Sequence, residues 1–102
     1  MTVKLNAAAD GKEAVVSISG RFDFSTHGEF RQVLDGLRAT KFARYTVDMG
    51  AVDDMDSAAL GMLLLLRDTV GGGNVEVHLV RCRAEIREML KMANFQDLFR
   101  IA

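Results

Sequence analysis

A chain of 102 residues has room for one ordinary domain but not two, so a single domain over residues 1–102 is expected. With 49% hydrophobic and 26% charged residues it is composed like a globular protein, and a formal charge of −1 without a basic stripe argues against a nucleic-acid partner. A lone cysteine, Cys82, excludes an internal disulfide, and the longest aliphatic run, Met62 to Leu66, falls far short of the roughly 20 residues of a membrane span.

The first residues run straight into an alternating pattern and not into a secretory leader, so a cytoplasmic location without membrane insertion is expected. Val3, Leu5 and Ala7 alternate with Lys4 and Asn6, and Ala14, Val16 and Ile18 alternate with Ser17 and Ser19. Asp10-Gly11 between the two runs is a tight-turn signal, which predicts an antiparallel hairpin with one buried face. Gly20-Arg21-Phe22-Asp23 breaks the alternation, and Ser25 or Thr26 can then cap a helix, Thr26 with Glu29 having capping-box spacing. Phe30, Val33, Leu34 and Leu37 form one apolar helical face. Tyr45, Val47 and Met49 read as a short strand, followed by "VDDMDSAALG" and a helix from about Ser57 to Val70. Gly71-Gly72-Gly73-Asn74 ends that helix, Val75, Val77 and Leu79 make a strand, and Ala84 to Met92 a further helix. Phe95, Leu98, Phe99 and Ile101 close the chain as a turn and a short strand. The order β-β-α-β-α-β-α-β implies α/β architecture: a mixed sheet, parallel but for the hairpin, with helices packed against it.

Asp53, Asp54 and Asp56 crowd Ser57 at the start of the second long helix. Three readings are open. Asp56 or Ser57 caps the helix while Asp53 and Asp54 sit in a solvated loop. The three acids offer hard oxygen ligands to a metal, although no glycine-turned calcium loop with a twelfth-position Glu accompanies them. Or Ser57 takes up phosphate, which a helix N-terminus favours and the nearby acids oppose. The helix itself is two-faced. At about 100° per residue, Ala59, Met62, Leu63, Leu66 and Val70 share the core side, while Ser57, Gly61, Leu64 and Asp68 line the other, flanked by Leu65. His27 and His78 fall in different elements without a partner arranged for base catalysis, so an enzyme is not expected.

Over nearly its whole length the chain resembles the STAS domain family, in particular the stand-alone anti-sigma factor antagonists. Gly20-Arg21-Phe22-Asp23 is similar to that family's Gly-x-hydrophobic-Asp at the end of the second strand, and Asp56-Ser57-Ala58-Ala59-Leu60-Gly61 to its Asp-Ser-(Ser/Thr)-Gly-Leu-Gly signature. The resemblance implies a STAS-like fold, with the family's final helix missing or reduced, and no cofactor. It implies a partner-switching regulator that binds a serine kinase/anti-sigma factor of the ATPase-fold class. Phosphorylation at Ser57 then releases the partner, and a serine phosphatase resets the system. By position it places Asp23, Ser25, Asp56, Ala58, Gly61, Leu64 and Leu65 on or beside the docking surface. Ala58 and Ala59 depart from the signature's hydroxyl residue and glycine. A constitutive STAS subunit of a membrane transport complex, without phospho-switching, is the alternative. A receiver-type domain fits less well, because its first strand should end in an acidic pair where this chain has Ala7, Ala8 and Ala9.

Overall fold

The computed structural model describes every residue except Met1 and Ala9, so those two positions of the expected first strand and turn lie outside the description, as does the side chain of Thr2. Five strands form one sheet in sequence order: β1 (Thr2–Ala7), β2 (Glu13–Phe22), β3 (Arg44–Met55), β4 (Val77–Val80) and β5 (Arg100–Ile101). β1 runs antiparallel to β2, and every other neighbouring pair is parallel. Helices α1 (His27–Ala39), α2 (Ser57–Val70) and α3 (Ala84–Met92) make the crossovers. Right-handed crossovers that always step to the next strand place their helices on the same side of a sheet. The side chains agree: Ala14, Val16 and Ile18 of β2, Tyr45, Val47 and Met49 of β3, and Val77 and Leu79 of β4 are buried in one cluster with Phe30, Leu34, Leu63, Leu66, Ile86 and Leu90. The alternate residues Val15, Ser17, Thr46, Asp48, His78 and Val80 are half-buried on the other face.

The hairpin forms, but not through a two-residue turn. The Ala8 N–H donates to the Glu13 carbonyl at 2.9 Å and the Gly11 N–H to the Ala8 carbonyl, so Asp10-Gly11 sits inside a wider loop, where Asp10 accepts from the Lys12 N–H. The second and third strands run past the expected breaks. β2 continues through Gly20 and Arg21 to Phe22 because two register shifts against β3, one on each side of Ser19-Gly20, absorb the disturbance, and Gly20 takes a φ of 83° there. β3 continues to Met55, so Asp53 and Asp54 belong to a strand and not to a solvated loop. Conversely β4 begins only at Val77, because Gly72–Asn74 forms a 3₁₀ turn with Val75 as its C-cap. Gly71, at φ 135°, ends α2, and a Cβ there would meet Val75 Cγ2 at 2.7 Å.

The capping box is absent. Thr26 is buried and its hydroxyl donates back to the Asp23 carbonyl, while the Glu29 carboxylate accepts from the Val3 N–H of the edge strand at 2.9 Å. Glu29 therefore ties α1 to β1, a long-range use that outcompetes the local motif. The Arg81-Cys82-Arg83 cluster is neutralised in place. Arg81 makes a two-pronged contact with Asp48 (3.0 and 2.6 Å) and Arg83 pairs with Asp53, while burial pushes the Cys82 thiol above its ordinary pKa. No described helix is long and apolar enough to cross a membrane.

Candidate functional site at the start of the second long helix

The C-terminal ends of β2 and β3 lie side by side, with Phe22 opposite Met55. The chain leaves each strand into a helical turn. After β2, Asp23 accepts the Ser25 N–H at 2.9 Å and the Ser25 hydroxyl at 2.5 Å, capping the 3₁₀ turn Phe24–Thr26 that leads into α1. The hydroxyl of Ser25 above all, then its N–H and the charge of Arg21, hold the Asp23 carboxyl below its ordinary pKa, so it is an anion at neutral pH. After β3, Asp56 accepts the Ala59 N–H at 3.1 Å and is the N-cap of α2. Its own N–H donates to the Phe22 carbonyl at 3.3 Å, which joins the two turns.

Asp56 therefore takes the capping role, and Ser57 becomes the first helical residue, exposed, with no hydrogen-bond partner for its hydroxyl among the described residues. The other two acids are engaged elsewhere: Asp53 lies 3.4 Å from Arg83 and Asp54 3.9 Å from Arg21. These exposed pairs contribute little stability, but they offset much of the charge around Ser57. The three carboxylates each have a separate partner, Asp53 with Arg83, Asp54 with Arg21 and Asp56 with the Ala59 N–H.

Beyond Ser57, α2 presents the expected two faces. Ala59, Met62, Leu63, Leu66 and Val70 are its buried residues. Ala59 faces the core, so its replacement of the signature's glycine leaves the outer surface unchanged. Ala58 is half-buried and Gly61 is exposed, with open space where a Cβ would stand. Leu64 and Leu65 are adjacent and 38% and 43% exposed on the outer side.

Two features were not anticipated from sequence. Phe24 is 70% exposed on the turn that Asp23 caps, and its ring stacks on His27 at 5.6 Å between centroids. His27, exposed in the first turn of α1, also lines a groove of about 240 Å³ between α1 and α2, with Leu65 opposite. It thus links the Asp23 turn to the leucines of α2. The pointer in the sequence was a large apolar residue lodged between Asp23 and Ser25, where turn residues are ordinarily polar.

The cap is open to direct test. Asp56→Ala is expected to lower stability by about 1 kcal/mol, and Asp56→Asn, which can still accept the Ala59 N–H, by far less. Urea melts of the three proteins would measure it, and equal losses for both variants would mean that the carboxylate does not act as a cap.

Residues 5–100 match the family described as "Mlab, STAS domain". A STAS-domain containing protein of Pseudomonas aeruginosa (strain UCBPP-PA14) is 43% identical over 102 residues, covering all of both chains. Among solved structures, an anti-sigma factor antagonist from Mycobacterium paratuberculosis superposes with a TM-score of 0.80 at 20% identity, covering 98% of this chain and 83% of that one. The Bacillus cell fate determinant SpoIIAA in its phosphorylated form gives 0.73 at 13% identity, covering 99% and 91%. At such identities the structural likeness is one of fold, five strands in a mixed sheet with three helices, and it agrees with the order of elements derived above. Sequence match and architecture converge, and the chain belongs to the STAS domain family.

Proposed function

We propose that this protein is an anti-sigma factor antagonist of the partner-switching kind. Unmodified, it docks a serine kinase/anti-sigma factor of the ATPase-fold class through the Asp23–Ser25 turn and the outer face of α2, namely Asp56, Ser57, Ala58, Gly61, Leu64 and Leu65. The kinase moves the γ-phosphoryl group of ATP onto the Ser57 hydroxyl: the new bond is Oγ–P, the bond to the β-phosphate oxygen breaks, and ADP leaves. The hydroxyl proton passes to a base of the kinase, since no described side chain of this protein engages it. The modified protein lets go, and a serine phosphatase restores it. The reading makes the chain a regulatory binding module and not an enzyme, acting in the cytoplasm.

The observation that carries it is a serine hydroxyl without a hydrogen-bond partner among the described residues, at a helix N-terminus where its neighbour, Asp56, has taken the cap, beside two partly exposed leucines. The energetics suit a switch that does not unfold the domain. A phosphate adds about −1.5 to −2 charges at neutral pH. The helix end supports an anion by up to about 2 kcal/mol. Two unit charges about 5 Å apart repel by roughly 3 kcal/mol at an effective dielectric near 20, so one carboxylate opposes the phosphate by roughly 5–7 kcal/mol there, and by far less where water screens. With Asp53 and Asp54 paired to arginines, Asp56 is the principal opponent, and because both Asp56 and Ser57 are exposed, water screens its repulsion toward what the helix end offsets. A partner seated on the dianion enjoys no such balance.

Incubation with a co-purifying kinase and ATP is expected to give a single phosphopeptide containing Ser57, absent from Ser57→Ala. Co-purification with a permease or its ATPase, with Ser57 unmodified, would instead identify a constitutive subunit.

A further inference from the structure

The groove between α1 and α2 has a chemistry of its own. Its floor is Phe30 and Leu34, both buried, and its α2 wall is the exposed Leu65. Its α1 rim carries two arginines, Arg31 and Arg38, with His27 at one end. Arg38 spends part of its charge on Asp35, 3.0 Å away, whereas Arg31 has no hydrogen-bond or ion-pair partner among the described residues. This contrasts with Arg21, Arg81 and Arg83 elsewhere on the domain, each matched to an aspartate.

At about 240 Å³ the groove is smaller than the roughly 300–1,000 Å³ of small-molecule sites. It suits one or two apolar side chains of a macromolecule and not a metabolite. Exposed Phe24 stacks on His27 at one end, and Gly61 leaves open space on α2 toward Ser57, so the groove continues the surface proposed for the partner. An apolar floor beside a cationic rim is complementary to one kind of segment.

We infer that the α1–α2 groove receives an acidic amphipathic helix of the partner, with a leucine or phenylalanine seated over Phe30, Leu34 and Leu65 and carboxylates against Arg31 and Arg38. The inference rests on the partner-switching reading and gives the partner's chemistry. It also supplies a reason for release: phosphate at Ser57 introduces charge of the same sign as the incoming segment, on the same face.

The test uses the full chain and two fluorescein-labelled helical peptides, one with a stripe of leucines flanked by glutamates, the other with every glutamate changed to lysine. The glutamate peptide is expected to bind the wild type at least about tenfold more tightly than the lysine peptide, and Arg31→Glu with Arg38→Glu to reverse the order. Leu65→Asp should abolish binding of the glutamate peptide. Amide shifts in an ¹H–¹⁵N spectrum should change at His27, Arg31 and Leu65. Equal binding of both peptides, no binding of either, or a preference unchanged by the double variant would overturn the inference. So would binding of vesicles rich in phosphatidylglycerol in place of the peptide. Peptide binding is read without kinase or phosphate. Failure here therefore leaves the Ser57 switch standing, and failure of Ser57 phosphorylation leaves a charge-selective groove intact.

Discussion

Ser57→Asp is expected to bind the kinase partner at least about tenfold more weakly than the wild type, a loss of about 1.4 kcal/mol or more. Ser57→Ala should bind like the wild type and accept no phosphate. The fold should not change in either variant. Ser57 is the first helical residue, where an acidic side chain is favoured by about 0.3–1 kcal/mol, and its hydroxyl holds nothing else in place. A binding defect in Ser57→Asp with an unchanged melting temperature would separate a docking effect from an unfolding one. Calorimetric titration and a thermal melt on the same preparation measure both. Weakened binding by Ser57→Ala would mean instead that the partner uses the hydroxyl itself as a hydrogen-bond group.

The largest stability effect belongs to Phe22. Its ring is fully buried, stacks on Phe30 at 5.8 Å, and sits at the strand end whose carbonyl receives the Asp56 N–H. Phe22→Ala should cost about 3–5 kcal/mol, from the lost burial and the cavity left behind. Against a typical total of about 5–15 kcal/mol that is a large share. At roughly 4 °C or more per kcal/mol for a domain of this size, the midpoint should fall by at least about 12 °C. Phe22→Leu keeps most of the volume and should lose less than half as much. A loss under about 1 kcal/mol for the alanine variant would mean that this corner of the core is loosely packed. The same substitution removes support from beneath both turns of the site, so near its lowered midpoint partner binding should fall along with the folded fraction.

How far the sequence carries the fold depends on whether a residue acts locally. The buried face of α2, Ala59, Met62, Leu63, Leu66 and Val70, follows from helical periodicity because one side of one helix decides it. The bounds of α3, Ala84–Met92, were legible for the same reason. The length of β3 was not. Asp53 and Asp54 break the apolar alternation, and only pairing with a bulged β2, together with Arg21 and Arg83, makes them strand residues. Glu29 looked like half of a capping box and instead serves Val3, a contact 26 residues away that no local pattern announces. At the site, the Asp56-Ser57 pair left open which of the two was the cap. Geometry assigns it to Asp56, and that assignment is what frees Ser57. Phe24 and the Arg31–Arg38 rim were hidden because their importance lies in what they stand next to across two helices.

Phosphate on Ser57 is expected to end an association without unfolding the protein. The decisive measurement is a titration of the kinase partner, in its nucleotide-bound form, with unmodified protein and with protein carrying phosphoserine at position 57. Burying an unmatched dianion costs several kcal/mol, so affinity should fall by at least about a hundredfold. Equal affinity for the two forms would mean that Ser57 phosphorylation does not control the association.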